Sequence, residues 1–491
     1  MVLHKPHISD QKFQIVIFGL SGIMFGVVIT FTLLGYFPGL YAGVAFFVAI
    51  TPLLLTWHNH AKKILVAILV LSMVLIIDKT INVHPLHQGG AKGFVISMHD
   101  ITLMLILFIL FIEAVNKRRI NIKLFPKYTI PLLGLIVMSV LSMSRAVSYN
   151  YSFYELIEIV KACVVFLFLA NYCSKENNYK FVIIFIMIGL GIEIFFVVIE
   201  LITGSLNIPI LGLSGTEISV VQAEKYYRAG GTFGGANGLA WYLDVILPLA
   251  LALTFYKIKS FPRFFSFLLT VGGIGILIST FSRGGWAGFL IGAFIVLMYY
   301  LKTASVLKKI LTVILVLMII SSLFLLIITT DNPVKDRLTE NDKNSAYVRI
   351  PLMEIAFAII RANPVFGVGL NNYTLVHQNY DFGVDKITHY YPVPVHNFLL
   401  QFAAETGLPG LFFFLCFVFM IIFDGVKYSK KHRDRTGWIV LGIIAGSAGF
   451  FIQGMVENTS LGSSNVYSLW VLLGTAAGII SRDENKLNSE N

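Results

Sequence analysis

Apolar runs of about twenty residues recur along the whole chain, separated by short polar connectors. The runs lie near 13–33, 36–56, 64–77, 99–115, 129–143, 156–172, 181–203, 237–256, 264–281, 284–300, 310–328, 398–423, 438–456 and 466–480. Each is long enough to approach or cross a hydrocarbon core of roughly 30 Å. Backbone polar groups in lipid must be satisfied within the segment, so runs of this length predict helices. The shorter alternating pattern of barrel strands is absent from the sequence. The pattern therefore predicts an all-α polytopic membrane protein with about fourteen spans. The run 13–34 has no small-residue cleavage site after it and reads as a retained helix rather than a signal peptide.

One polar stretch breaks the rhythm. Residues 329–397 form the longest connector, and a connector of this length predicts helices of its own. Pro351 suits a first helical turn, Leu352–Ile360 is strongly apolar, and Asn363-Pro364 is a stop. That predicts one short helix, too short to cross, with Arg349 near its start. Chain organisation follows: 1–203 is an N-terminal multi-span region, 204–425 a core containing the long connector, 426–480 a C-terminal hairpin and 481–491 a disordered tail.

Composition agrees. Hydrophobic residues make up 57% and charged residues 13% of 491, and mean hydropathy is +0.80. Soluble domains are nearer roughly half apolar and a quarter charged. The net charge of +11 does not mark a nucleic-acid surface, because its distribution is that of an insertion signal. With the N-terminus inside, 24 of the 37 Lys and Arg fall on inner connectors, among them Lys62-Lys63, Lys117–Arg119, Lys308-Lys309 and Lys427–Arg435. Both termini are then cytoplasmic and 329–397 is extracytoplasmic. Cys163, Cys173 and Cys416 have no metal-site spacing, and His84 and His87 lack a ligand cluster around them. No metal and no nucleotide cofactor is expected, since the glycines near 230–235 lack both phosphate-loop patterns.

The candidate chemistry lies on the outer side. His396 precedes the span 398–423 and has two readings: an interfacial histidine, or a base that takes a proton from a hydroxyl near neutral pH. Asn397 either orients a substrate or caps the next helix. Arg228, Arg283 and Arg349 stand at outer ends of spans, against the inside-positive bias. Either each pairs with a carboxylate or together they hold a shared anion, for which a planar fork of donors is suited. Tyr373, Tyr380, Tyr390 and Tyr391 are an interfacial belt or a floor for stacking sugar rings. Glu193, Glu200 and Asp244 lie within spans and either line an ion or substrate pathway or, for Asp244, about two turns below the glycine-rich stretch, support the site from beneath. Glu158 and Lys161 are spaced to pair on one helix face. Glu457 and Asn458 end a span at the rim, and Glu405 faces the bundle. Gly284-Gly285 and the Gly288, Gly292 pair predict close helix packing.

Four features resemble the O-antigen ligase and O-antigen polymerase group of bacterial membrane glycosyltransferases. They are Arg228-Ala229-Gly230-Gly231-Thr232-Phe233-Gly234-Gly235-Ala236-Asn237, then Phe281-Ser282-Arg283-Gly284-Gly285, then Arg349 with Asn363-Pro364 and Gly367-Val368-Gly369, and last His396-Asn397 followed by Gly407-Leu408-Pro409-Gly410. The last pattern is the most specific. Together they cover about 226–425, and the first 200 residues match only in being multi-span.

The resemblance implies a GT-C-like bundle of 12–14 transmembrane helices in the bacterial cytoplasmic membrane, with short helices in the large extracytoplasmic loop. It implies an undecaprenyl-diphosphate-linked glycan donor, a glycan or lipid-linked acceptor, and transfer without nucleotide or metal. It assigns His396 as the essential histidine and Arg228 as a phosphate-binding arginine, with Arg283 or Arg349 as the second. Asn237, Asn397, Tyr373 and Tyr391 are substrate-binding candidates. Fourteen spans exceed the twelve usual for the ligases, which keeps a polymerase, or a ligase for another envelope glycan, open. A multi-span transporter or flippase of lipid-linked sugars is the alternative, although the two inverted halves expected of one are not evident.

Overall fold

The computed structural model describes residues 58–84, 87–117, 122–175, 177–204, 206–208, 213–216, 228–256, 262–329, 334–335, 343–384, 386–390 and 392–490. The expected spans 13–33 and 36–56, and Tyr391, lie outside the described residues. The chain divides into two compact units, Met1–Leu69 with His99–Asn121 and Val70–Met98 with Ile122–Asn491.

Helices dominate, as the apolar runs predict. They are α1 (His58–Leu71), α2 (Met98–Lys117), α3 (Pro126–Ser142), α4 (Tyr149–Cys173), α5 (Asn178–Thr203), α6 (Ala236–Phe255) and α7 (Arg263–Ser279). There follow α8 (Arg283–Thr303), α9 (Val306–Thr329), α10 (Lys343–Ala362), α11 (Phe398–Lys431), α12 (Arg435–Gly454) and α13 (Ser464–Glu490). Among the described residues seven helices are long and apolar enough to cross a membrane, carried by α2, α3, α5, α6, α8, α11 and α12. Large apolar side chains remain exposed on several of them, such as Phe195 and Ile202 on α5, Leu290 and Phe294 on α8, and Phe419 and Phe423 on α11. Large apolar side chains left exposed along helices of this length and composition suit lipid rather than water. The protein is polytopic and largely helical.

In the smaller unit, α1 and α2 carry a Lys62–Glu113 ion pair with Nζ–Oε2 3.0 Å. In the larger unit, α6 and α12 are buried on nearly all sides. Helix α12 meets both α6 and α8 backbone to backbone at glycines. A Cβ on Gly446 would stand 2.1 Å from the Val245 carbonyl oxygen, and one on Gly288 would stand 2.8 Å from the Gly449 carbonyl oxygen. Small residues in such positions let dispersion contacts form between backbones where no hydrophobic driving force is available. The expected Glu158–Lys161 pair is present at 2.6 Å.

Four expectations differ from the structure. The body is helical, yet two connectors fold as antiparallel hairpins, β1 (Asp78–Ile81) with β2 (Phe94–Ser97) and β3 (Leu206–Ile208) with β4 (Leu213–Thr216). Pairing their strands satisfies backbone groups that a bare connector would leave open. The expected span 64–77 ends at Leu71, six residues short, because the chain turns through Met73 and Val74 into β1. Helix α10 starts at Lys343, so Pro351 lies inside it and Arg349 near its middle. The helix continues across Pro351 even though the proline removes a ladder donor and crowds the carbonyl four residues back. The tail after Asp483 continues α13 to Glu490; it contains neither glycine nor proline to end the helix.

Helix α11 is broken once, at Gly407 (φ 74°, ψ 170°). The segment Pro364–Gly369 lies along the break. Leu408 N donates to the Pro364 carbonyl (2.8 Å), Val368 N to that of Ala404 (2.9 Å) and Gly369 N to that of Glu405 (3.1 Å). These bonds use backbone groups that the break releases, a condition for non-helical backbone at membrane depth. The third and fourth sequence features therefore form one local structure.

Candidate active site

The loop before α6 is held by buried carboxylates. Glu200 accepts from Gly230 N (3.2 Å) and Gly231 N (2.7 Å), while Glu193 accepts from Thr232 N (3.1 Å) and Thr232 Oγ1 (2.7 Å). Both glutamates are essentially unexposed. Gly231 has φ 55°, and a Cβ there would stand 1.9 Å from Glu193 Oε1. The glycine-rich loop thus turns these three N–H groups onto protein carboxylates rather than onto a ligand. Glu193 and Glu200 therefore brace the glycine-rich loop from within α5.

That loop places Arg228. Its Nε donates to the Thr280 carbonyl (2.8 Å) and its Nη2 to Asn237 Oδ1 (2.9 Å), at the start of α6. Ser282 caps α8 by accepting from Gly285 N (3.3 Å), which sets Arg283 on the first helical position. Arg228, Asn237, Arg283, Arg349 and Glu457 line one cavity of about 480 Å³, with Phe281, Ile452 and Val456 among its apolar walls. Three arginines from three separate segments thus share the lining with one carboxylate, that of Glu457.

Glu457 joins the two sides of the site. Its Oε1 lies 3.9 Å from Arg349 Nη2, and its Oε2 lies 3.6 Å from His396 Nδ1. His396 adjoins the cavity through this carboxylate; its side chain is 31% exposed, which leaves the ring open to a substrate. The junction between α11 and α12 fixes the pair. Asn397 Oδ1 accepts from Leu400 N (3.0 Å) as an N-cap, Asn397 Nδ2 donates to the Met455 carbonyl (3.1 Å), and Phe398 N donates to the Glu457 carbonyl (3.1 Å). Asn397 takes the capping alternative.

The structure brings Arg228, Arg283, Arg349 and Asn237 to one cavity and His396 to its rim. It does not bring Tyr373 there. That side chain is fully buried in an apolar cluster with Leu352, Ile355 and Val376, and its hydroxyl reaches the Leu352 carbonyl at 3.4 Å. Burial holds the Tyr373 hydroxyl well above its ordinary range, and the Glu405 charge adds to this. Asp244 lies about two turns below Asn237, unexposed, with its carboxyl against Gly288.

A second polar network braces the loops. Glu405 accepts from Asn371 N (2.9 Å), Tyr373 N (3.4 Å) and Gln401 Nε2 (3.3 Å). Asn371 Oδ1 pairs with His87 Nε2 at 2.8 Å, and the His87 ring stacks on Tyr151 with centroids 3.9 Å apart. Burial lowers the affinity of His87 for a proton; the Asn371 bond opposes this, and Lys92 and His84 add to it. Among the described residues no group of three or more His, Cys, Asp or Glu is arranged to hold a metal ion.

Sequence reasoning placed Glu457 at a rim and missed it as the partner of both His396 and Arg349. It also missed Glu193 and Glu200 as supports of the Arg228 loop. For Glu200 the available signal was a carboxylate near the end of a span that leads into the glycine-rich loop; Glu193, mid-helix, carried none beyond its burial in a span.

Residues 243–415 match the family model described as O-antigen ligase. The match takes in Arg283, Arg349, His396 and the break at Gly407, and stops short of Arg228, Asn237 and Glu457. No curated protein matches the chain.

Proposed function

We propose that the protein is a membrane glycosyltransferase of the O-antigen ligase or polymerase type, GT-C-like in build. It moves a glycan from an undecaprenyl-diphosphate-linked donor to an acceptor hydroxyl at the outer face of the bacterial cytoplasmic membrane. The acceptor is another glycan or a lipid-linked sugar. The carrying observation is the convergence of Arg228, Arg283 and Arg349 on one cavity that a His396–Glu457 pair adjoins. The partial match to the O-antigen ligase model supports the reaction class. The inside-positive connectors support both termini in the cytoplasm and an extracytoplasmic site.

In this reading the donor diphosphate lies among the arginines, with its lipid tail toward the bilayer. The acceptor oxygen attacks the anomeric carbon from the side opposite the diphosphate. The new carbon–oxygen bond forms as the bond to the phosphate oxygen breaks, so configuration inverts. The electron pair leaves on the phosphate oxygen, where two or more guanidinium groups stabilise the added charge without a metal. The acceptor proton passes to Nε2 of His396. Glu457, facing Nδ1, holds the ring and offsets its charge once it is protonated.

The test is reconstitution. Purified protein receives a diphosphate-linked repeat unit, alone or with a lipid-core acceptor, and products are sized on a gel. A ladder from donor alone identifies a polymerase, and a single shifted acceptor band a ligase. Undiminished transfer by a combined Arg228→Ala, His396→Ala variant would refute the scheme. Movement of the lipid-linked sugar between leaflets without any product would favour the transporter.

A further inference from the structure

A second cavity of similar size, about 510 Å³, lies between α8, α11 and α12 at the far end of the same helices. Helix α8 carries Arg283 at its first residue in the arginine cavity and Lys302 near its last in this cleft. A helix of this length rises about 30 Å, close to the thickness of a hydrocarbon core. The two cavities therefore sit at opposite interfaces of one bilayer.

The cleft has two chemically distinct parts. Phe294, Ile295, Met298, Val426 and Ile444 give an apolar wall, and Phe294 and Val426 are exposed to the surroundings. Lys302, Lys430 and Arg433 form the rim, all exposed. Among the described residues none of the three is in an ion pair with a carboxylate. The nearest acid in sequence, Asp434, is turned onto its own helix, where it accepts from Gly437 N (3.2 Å) and Thr436 Oγ1 (2.7 Å).

Two independent features point to a ligand with a polar head at this depth. Ser429 lines the cleft at 1% exposure, and its hydroxyl makes no hydrogen bond. A buried donor is rarely left unmet without a ligand, water or ion to meet it. An aromatic cluster marks the level: Tyr299 stands edge-on to Trp438 at 4.9 Å and donates to the Ser429 carbonyl at 2.6 Å, and Tyr300 lies 6.4 Å from the same indole. Tyrosine and tryptophan gather where acyl chains give way to headgroups.

We propose that this cleft binds one anionic phospholipid of the surrounding bilayer. The acyl chains lie along Phe294 and Met298, the phosphate sits among Lys302, Lys430 and Arg433, and the Ser429 hydroxyl donates to a headgroup or ester oxygen. Basic pockets between transmembrane helices on the cytoplasmic side recognise lipid headgroups by this combination of charge and groove. The occupant is the membrane's own lipid rather than the glycan donor, whose diphosphate belongs at the opposite interface.

The test uses the full chain in non-ionic detergent, with phosphatidylglycerol or phosphatidylcholine added at equal concentration and bound lipid counted by native mass spectrometry. The wild-type protein is expected to retain phosphatidylglycerol selectively. Each charge removed by Lys302→Gln, Lys430→Gln or Arg433→Gln weakens that binding by about fivefold, and the three together by about a hundredfold. A Lys308→Gln, Lys309→Gln variant, altered at the start of α9, keeps it. Equal retention of both lipids by the wild type overturns the proposal. So does full phosphatidylglycerol retention by the single Lys430→Gln and the triple variant, or an equal loss in the Lys308, Lys309 variant. The single exchange and the wild-type selectivity decide the matter even if the triple variant fails to fold.

Discussion

Glu200 accepts the N–H of Gly231 at 2.7 Å, and through that bond α5 holds the loop that carries Arg228. Replacing Glu200 by Ala leaves two buried N–H groups without an acceptor, each costing about 1–3 kcal/mol. The melting temperature in detergent should fall, and glycan transfer should fall with it. Glu200→Gln keeps one acceptor oxygen and should lie between. A variant that loses neither stability nor transfer would detach the loop from α5.

His396→Ala should lower kcat for transfer by about 10²–10⁴-fold while leaving the KM for donor nearly unchanged, because the general base acts only as the hydroxyl reacts. Glu457→Gln keeps the shape and removes the charge that faces both Arg349 and His396. It should lower kcat in the same direction but less. Single-turnover assays with saturating donor separate the two effects; a change confined to KM would make Glu457 a binding group instead.

Arg228→Lys keeps the positive charge but cannot hold the Thr280 carbonyl and Asn237 Oδ1 at once while facing the cavity. Transfer should drop by about 10²–10³-fold, the usual effect of losing one donor at a developing negative charge. Thermal stability should change little by comparison. Equal activity of the lysine variant would show that charge alone suffices.

Gly407→Ala meets two obstacles. The backbone is left-handed there (φ 74°), and a Cβ would stand 2.1 Å from the Val365 carbonyl oxygen. A backbone with positive φ and ψ near 170° is almost restricted to glycine and costs about 1–3 kcal/mol for another residue, and the clash forces the Pro364–Gly369 segment away. Thermal unfolding should occur at clearly lower temperature, with transfer impaired by displacement of α11. Gly383→Ala, where φ is not positive and the one near atom, Asp381 Oδ1, lies at 3.3 Å, should be mild by comparison.

His87 gives a pH dependence with a definite sign. Burial disfavours its charged form, so its folded pKa lies below the ordinary 6.5. The unfolded chain then binds more protons, and stability is complete above 6.5 and is lost as the pH falls through the folded value. Melting temperature should decline between about pH 7.5 and pH 5.5, and His87→Phe, which can still stack on Tyr151, should flatten part of that decline. An unchanged decline in the variant would assign the dependence to other groups.

The sequence makes the helices readable because lipid imposes length: a run such as 237–256 must close its own hydrogen bonds, and α6 follows it within a residue. It also singles out Arg228, Arg283 and Arg349, which the structure brings to one cavity, because arginines placed against the expected charge bias stand out along the chain. Relations across the chain are not readable in this way. Nothing near His396 announces Glu457, which arrives from the end of another helix. Tyr373 looks like a sugar platform in a tyrosine-rich stretch, yet its position is set by packing against α10, which the local pattern does not encode. Asn397 had two roles open, and only the Leu400 N–H at 3.0 Å decides for the cap. The hairpins escaped because strands of three or four residues carry too short a period to read.

The contact of α6, α8 and α12 through Gly288, Gly446 and Gly449 bears on how substrates arrive. At Gly446 and Gly449 carbonyl oxygens lie against neighbouring backbones, and the only side chains that enter the α6–α8 contact at Gly288 and Gly292 among the described residues are the short Asp244 and the ring of Pro248. To part them, whole main chains must separate, with loss of every close contact at once. The floor beneath the arginine cavity is thus a fixed platform. In the proposed reaction a bulky donor would therefore enter sideways or from above, past α10 and the outer ends of α11 and α12, while the platform itself stays in place.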